Sequence, residues 1–265
     1  LAAIYILVVV SLFFFLFPIA WVVQNSFKTM YQIFQIPPLL IYTPTFSNYI
    51  RLFKGAALQV FANSLTISFI NMALALLLGI PTAYSLARFK SRVNQNVSFW
   101  ILTVRMAPAF GVIVPFYLMM HILRLIDTIP AVALAHLTFN LPFAIWLMKT
   151  YFEELPRELE EAALLDGASR WQTLYTIIVP VSAPMLVAVS ILAFLLSWNE
   201  FMFAFLLTSR EARTVPVYIT ALAGTHFLDW PMMTTISTVA MIPAFAFMGY
   251  VQRFIVKGLT MGAVR

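Results

Sequence analysis

Apolar residues run almost unbroken through six stretches of the chain, about 2–23, 61–87, 97–123, 129–149, 181–207 and 232–256. Each is near the ~20 mostly apolar residues that a helix needs to cross the hydrocarbon layer of a bilayer. The runs are continuous rather than alternating, which excludes the period-two pattern of a strand barrel. The pattern therefore predicts an all-α membrane protein, a bundle of six transmembrane helices. The numbering opens at Leu1 inside the first run, so a short preceding tail is expected. Residues 1–23 have span length and no small-residue cleavage site after them, and read as a span rather than a signal peptide.

Polar and small positions inside the spans predict how the helices pack. Ala75, Gly79, Ala83 and Ala87 recur every four residues in the second run, a small-residue ridge that lets a neighbouring helix approach closely. Ser64, Ser68 and Asn71 share another face, suited either to hydrogen bonds between helices or to the lining of a pathway. Pro18, Pro81, Pro108, Pro115, Pro142, Pro184 and Pro243 interrupt the runs. Each removes a backbone donor and bends its helix, which lipid tolerates only where protein or a cavity satisfies the freed carbonyl.

Composition agrees with this picture: 62% of the 265 residues are hydrophobic and 10% charged, too apolar for a soluble core to hide. The absence of Cys excludes disulfides and thiolate metal sites. The net charge of +6 comes without a basic run or a basic–aromatic ladder, so membrane-side loops account for it and nucleic acid is not an expected partner. With the N-terminus inside, nine Lys and Arg fall in inner segments and six in outer ones, and the compact cluster Arg88, Lys90, Arg92 sits at a span end. That bias places both termini in the cytoplasm.

Acid is distributed unevenly. Of ten Asp and Glu, six (Glu153, Glu154, Glu158, Glu160, Glu161, Asp166) lie in the inner loop between spans four and five. Leu155 precedes Pro156 and is pushed out of the helical region, so span four should end there. Pro156 suits the first position of a new helix, acidic residues favour its positive end, and Gly167 suits the left-handed position that stops it. Ser169-Arg-Trp-Gln172 has the form of a capping box opening a second short helix, and Pro180 marks the return to the membrane. Spacing alone leaves this helix–turn–helix open between a solvated loop and a surface for a partner.

Glu161-Ala162-Ala163, three residues, Gly167, nine residues, then Ile177-Ile-Val-Pro180 resembles the EAA motif of ATP-binding-cassette importer permeases, with Val179 where that family usually has Leu. Asn63-Ser-Leu65, Gly79-Ile-Pro81, Arg105-Met-Ala-Pro108, Pro142-Phe-Ala-Ile-Trp146, Trp198-Asn-Glu-Phe201, Gln252-Arg253, Gly258-Leu259 and Gly262-Ala263-Val264 extend the resemblance to the carbohydrate-import branch over nearly the whole chain. The resemblance implies a type I importer permease fold in which residues 150–180 carry a short cytoplasmic coupling helix. It implies a second permease subunit, two cytoplasmic ATP-binding subunits, an extracytoplasmic solute-binding protein and surrounding lipid as partners, in a bacterial or archaeal inner membrane. It also implies an ATPase-coupling role for Glu161, Ala162, Ala163, Asp166, Gly167 and Pro180. ATP and Mg would be bound by the ATPase subunits, with no cofactor on this chain. No phosphate-loop motif Gly-x-x-x-x-Gly-Lys-Ser/Thr is present, so the chain reads as no enzyme.

The organisation read from the sequence is a first helix and outer segment over 1–60, a core over 61–256, and a basic tail over 257–265. Ionisable groups at membrane depth are candidates for function, here Arg105 and Glu200, with Asn63, Trp198 and Asn199 beside them as a candidate translocation path for a sugar. The competing reading has these groups paired as structural glue. His121 and His136 are placed facing the bundle or the interface and given no chemistry. The outer loop 208–231, with Arg210, Glu211, Arg213, His226, Asp229 and Trp230, is expected to face the binding protein. Importers of another solute such as glycerol phosphate, and an ion-coupled secondary transporter, are the alternatives; the latter has no use for a projecting acidic helix–turn–helix.

Overall fold

The computed structural model describes residues 1–106, 108–224 and 228–262, and for Arg105, Met248 and 251–262 it describes the backbone alone. The expectations at His226 and at 263–265 therefore lie outside the described residues. Among those described every regular element is helical. In chain order they are α1 (Ala2–Ser26), α2 (Met30–Phe34), α3 (Ser47–Lys54), α4 (Ala57–Arg88), α5 (Arg92–Met106), α6 (Ala109–Ile122), α7 (Ile129–Glu154), α8 (Glu158–Leu165) and α9 (Arg170–Thr173). A π-helical turn (Leu174–Ile178) leads to α10 (Val179–Val181), followed by α11 (Ala183–Trp198), α12 (Met202–Leu207), α13 (Val215–Ala223) and α14 (Trp230–Gly262).

Ala2–Ser26, Ala57–Arg88, Ile129–Glu154 and Trp230–Phe247 are each long and apolar enough to cross a membrane. The third and fifth predicted spans are broken rather than continuous. Arg92–Val104 and Ala109–Ile122 stand at 96° to each other, and Arg170–Val181 and Ala183–Trp198 at 82°. Pro108 is extended before α6, and Ser182, followed by Pro184 in the first turn of α11, sits at the second bend. That second bend stands at the first residues of the fifth run, and inside the run the break falls after Trp198. Asn199 turns its amide back to the Leu195 carbonyl (2.8 Å), and the Glu200 carboxylate accepts from the free N–H groups of Phe203 (2.9 Å) and Ala204 (3.1 Å) at the start of α12.

The described residues divide into two compact units, Leu1–Ala62 with Thr214–Ala246, and Asn63–Arg213 with Phe247–Arg265. In the first unit, α1 is exposed along its apolar length, as suits a helix whose solvent is lipid or a partner. Its end is fastened to the following segment by Lys28, which is 1% exposed. The Lys28 ammonium donates to the Leu39 carbonyl at 2.8 Å and lies over the rings of Tyr42 (4.7 Å) and Trp21 (5.4 Å). Burial lowers its pKa from the usual lysine range.

The second unit holds the larger core. The small-residue ridge of α4 is where the pattern predicts: Ala75 and Ala83 are fully buried, and Ala87 nearly so. At Gly79 a Cβ would stand 2.7 Å from Met148 Cε on α7, so the flexible end of Met148 fills the space the absent side chain leaves. On the polar face of α4, Asn71 donates to the Ala133 carbonyl (3.3 Å), and Asn140 of α7 donates to both Asn71 Oδ1 (2.6 Å) and the Ala193 carbonyl of α11 (3.2 Å). Three helices are thus tied at membrane depth by two amides, which takes Asn71 as interhelical glue.

Candidate functional site

The loop between α7 and α11 is built from local signals. Leu155 is extended (φ −69°, ψ 136°) before Pro156, and α7 ends at Glu154. The new helix starts at Glu158, two residues later than Pro156 suggests, because Arg157 takes the capping position and its carbonyl accepts from the N–H groups of Glu160 and Glu161. Glu158, Glu160 and Glu161 occupy the first turn, where the helix dipole favours acid. The end is a full Schellman motif. Gly167 N–H donates to Leu164 O (3.1 Å) and Ala168 N–H to Ala163 O (3.0 Å), with Gly167 at φ +87°. A Cβ there would meet nothing within 4 Å, so torsion rather than space reserves the position for glycine.

The second short helix opens with the predicted capping box. Ser169 N–H donates to Gln172 Oε1 (2.7 Å) and Gln172 N–H to Ser169 Oγ (3.3 Å). The helix then runs through the π-helical turn into the core, where Leu174 and Ile178 are buried. Pro180 lies exposed in α10.

The two adjacent acids of α8 differ in orientation. Glu161, with Ala162 and Asp166, is exposed, whereas Ala163 is buried. Leu165, at the end of the helix, is 88% exposed. Glu160 points inward. Its carboxylate accepts from Arg88 Nε (2.5 Å) and from the Tyr84 hydroxyl (2.8 Å), and the Arg88 and Glu160 side chains are each 5% exposed. The same Arg88 donates through Nη2 to the Leu155 carbonyl (3.2 Å). A shallow cavity of about 180 Å³ lies beside this pair, lined by Arg88, Phe89, Arg157, Glu161 and Arg170 among others. Sequence reasoning grouped Glu160 with the other acids of the loop. The signal that could have separated it is the arginine ending the second span, which burial obliges to find a partner.

The five membrane-depth candidates lie in different settings. Asn63 is buried, its amide donating to the carbonyls of Glu211 (2.6 Å) and Arg213 (3.1 Å). Trp198 is 4% exposed and stacks on Phe194 at 5.9 Å, so no open indole face is presented. Asn199 is exposed. Arg105 lies on α5, and its side chain is outside the described residues. Glu200 is 21% exposed and sits 2.9 Å from His136 Nε2, an ion-pair distance whose angle falls short of an aligned hydrogen bond. His136 Nδ1 contacts Ser197 Oγ at 2.7 Å. Glu200, His136 and Asn140 face an open cavity of about 200 Å³ that Ala109, Phe139 and Phe203 also line. His136, given no chemistry from the sequence, is thus the partner of the one acid in the fifth run.

At the other end of α7 a second acid organises backbone. Asp127 (φ 61°) accepts from the N–H groups of Ser209, Arg210, Glu211 and Ala212 and from the Ser209 hydroxyl, all at 2.8–3.1 Å. Burial works to raise its pKa, but those donors outweigh burial and hold the carboxyl well below the usual carboxylate range.

Comparison with known proteins places this geometry. Over 255 residues the chain is 33% identical to the trehalose/maltose transport system permease protein MalG of Thermococcus litoralis, covering 94% of this chain and 91% of that one. It is 34% identical over 254 residues to the trehalose transport system permease protein SugB of Mycobacterium tuberculosis, covering 94% and 92%. In fold it is similar, at TM-score 0.79 and 24% identity over 95% of both chains, to a chain of a bacterial ABC transporter involved in the import of the acidic polysaccharide alginate. Residues 75–261, which include α8, Gly167 and the clamp around Glu160, match the family described as binding-protein-dependent transport system inner membrane component. The chain belongs to that family, and is a membrane-embedded transport subunit rather than an enzyme.

Proposed function

We propose that this chain is one of two permease subunits of an ATP-driven importer for a sugar, and that α8 with the Gly167 turn is where a cytoplasmic ATPase subunit takes hold of it. The observation that carries the docking reading is the two-sided build of α8. One side is anchored to the second span through buried Glu160, and the other offers Glu161, Ala162, Leu165 and Asp166 to the outside. A helix fixed from behind and free in front can transmit a push without bending. In this reading both termini lie in the cytoplasm, ATP and Mg are bound by the ATPase subunits, and a solute-binding protein delivers cargo from the opposite side. A sugar as cargo follows from the relatives, two of which are named for trehalose.

For the path itself, Glu200 beside His136 and Asn140 is the polar wall that a hydroxyl-rich solute would meet, with Asn199 and Arg105 as further candidates. Asn63, bonded to the carbonyls of Glu211 and Arg213, and Trp198, stacked on Phe194, do not line the cavity beside Glu200. The test is reconstitution of the chain with its partner permease, ATPase subunits and binding protein, followed by uptake of radiolabelled trehalose or maltose. Gly167→Pro, which cannot adopt φ +87°, and Glu161→Lys should insert normally, yet hydrolyse ATP without uptake. Normal uptake by both variants would refute the docking role, and ATPase activity stimulated by no sugar would refute the cargo.

A further inference from the structure

From the contacts of Arg88 we infer that it is a positioning residue that locks the docking helix α8 to the second span, so that α4, α7 and α8 move as one body. α7 and α8 are joined by only Leu155, Pro156 and Arg157, and a proline-containing linker of that length would by itself be a hinge. Arg88 closes it from both sides. Its Nη2 holds the Leu155 carbonyl before Pro156 (3.2 Å), and its Nε holds the Glu160 carboxylate after it (2.5 Å). Tyr84, one turn earlier on the same face of α4, holds the other carboxylate oxygen at 2.8 Å. The two donors, one helical turn apart on α4, close on the one Glu160 carboxylate, one on each oxygen.

The ion pair is shielded from water, with both side chains 5% exposed, so screening does not loosen it as it would a surface pair. On the far side of α4, the gap left by Gly79 lets the helix sit directly against Met148 of α7. Force applied to α8 therefore reaches the bundle through α4 as well as through the covalent link to α7. Lysine at 88 would keep the charge but lack the forked donors that reach both acceptors at once.

This inference rests on the proposed docking of α8, and one set of samples tests the two separately. The chain has no Cys, so nitroxide labels can be placed at Thr82→Cys on α4 and Glu158→Cys on α8 without removing native thiols. In the reconstituted complex, pulsed electron paramagnetic resonance should give the same distance distribution in the nucleotide-free and ATP–vanadate-trapped states. The allowance is the ~1–2 Å of ordinary helix adjustment. Adding Glu160→Gln or Arg88→Met should make the distribution broaden or shift on trapping, with Arg88→Lys intermediate. A shift beyond that allowance in the parent chain overturns the inference, and so do variants that trap with the parent's distribution. Failure of the ATPase subunits to co-purify with the parent chain would instead refute the docking of α8.

Discussion

Replacing Asp127 by Asn tests how one side chain can order a whole loop. The carboxylate accepts four backbone N–H groups and one hydroxyl, with Oδ2 taking Arg210 N–H, Glu211 N–H and the Ser209 hydroxyl, and Oδ1 taking Ser209 N–H and Ala212 N–H. An asparagine keeps the shape but presents an NH₂ group to one of those sets, so at least two N–H donors lose their acceptor. Hydrogen bonds to a charged acceptor contribute about 1.5–3 kcal/mol each, and partial exposure here lets water replace some of that. A loss of about 2–3 kcal/mol of local order is the resulting estimate. Amide hydrogen exchange of residues 209–212 reads it directly, and 1.4 kcal/mol corresponds to a factor of ten, so exchange should quicken at least about tenfold.

The parent chain should show the same loosening with acid. A carboxyl whose folded pKa is depressed gives its full stabilisation above the unfolded value near ~3.9, and loses it as pH falls from there toward the folded value. Protection of 209–212, corrected for intrinsic exchange rates, should therefore hold at neutral pH and decline only below about pH 4. Unchanged protection in Asp127→Asn, or a decline centred near neutrality, would refute the assignment of that order to the carboxylate.

At Gly79 an added methyl would press on the flexible end of Met148 and make ordinary contact with Ile145 and Leu141, so Gly79→Ala should be tolerated, whereas Gly79→Leu overpacks the α4–α7 contact at a cost of about 1–3 kcal/mol. Apparent melting temperatures in detergent should separate the two. Lys28→Ala removes a side chain that is 1% exposed and a hydrogen bond to Leu39, with a loss in the range of about 2–5 kcal/mol seen for truncating a buried methionine. Limited proteolysis within 29–46 should then be faster. Asn140→Ala cuts the tie between α4, α7 and α11, and interhelical hydrogen bonds in membranes are worth about 0.6 to 1.7 kcal/mol, so the chain should still insert but lose detergent resistance.

The parts of the fold that were legible in the sequence are those governed by local chemistry. Span positions follow from apolar run length, the α4 ridge from four small residues at four-residue spacing, and the α8 terminus and the α9 start from a glycine and a capping box. Pro108 and Pro184 announced bends in the third and fifth runs but not their size, and the break after Trp198 escaped, because apolar content is blind to side chains that satisfy backbone. Glu200 reads as a charge at membrane depth, yet its carboxylate accepts from the first free N–H groups of α12. Glu160 and Glu161 are equivalent by composition and helical context. What separates them is Arg88, 72 residues before Glu160, which becomes its neighbour only after folding. The pairing of His136 with Glu200 is long-range in the same way: its partner lies on another element, and no local pattern announces it.

The central claim, that an ATPase subunit seats on the outward side of α8, is tested most directly by thiol accessibility in membranes. A single cysteine replacing Ala162, which is exposed in a chain that has no cysteine of its own, should react with a membrane-permeant maleimide when the permease pair is expressed alone. Co-expression of the ATPase subunits should suppress that reaction, while a cysteine at Leu40, exposed in the segment between α2 and α3, keeps its rate. Equal labelling at residue 162 with and without ATPase subunits that demonstrably co-purify would contradict the account.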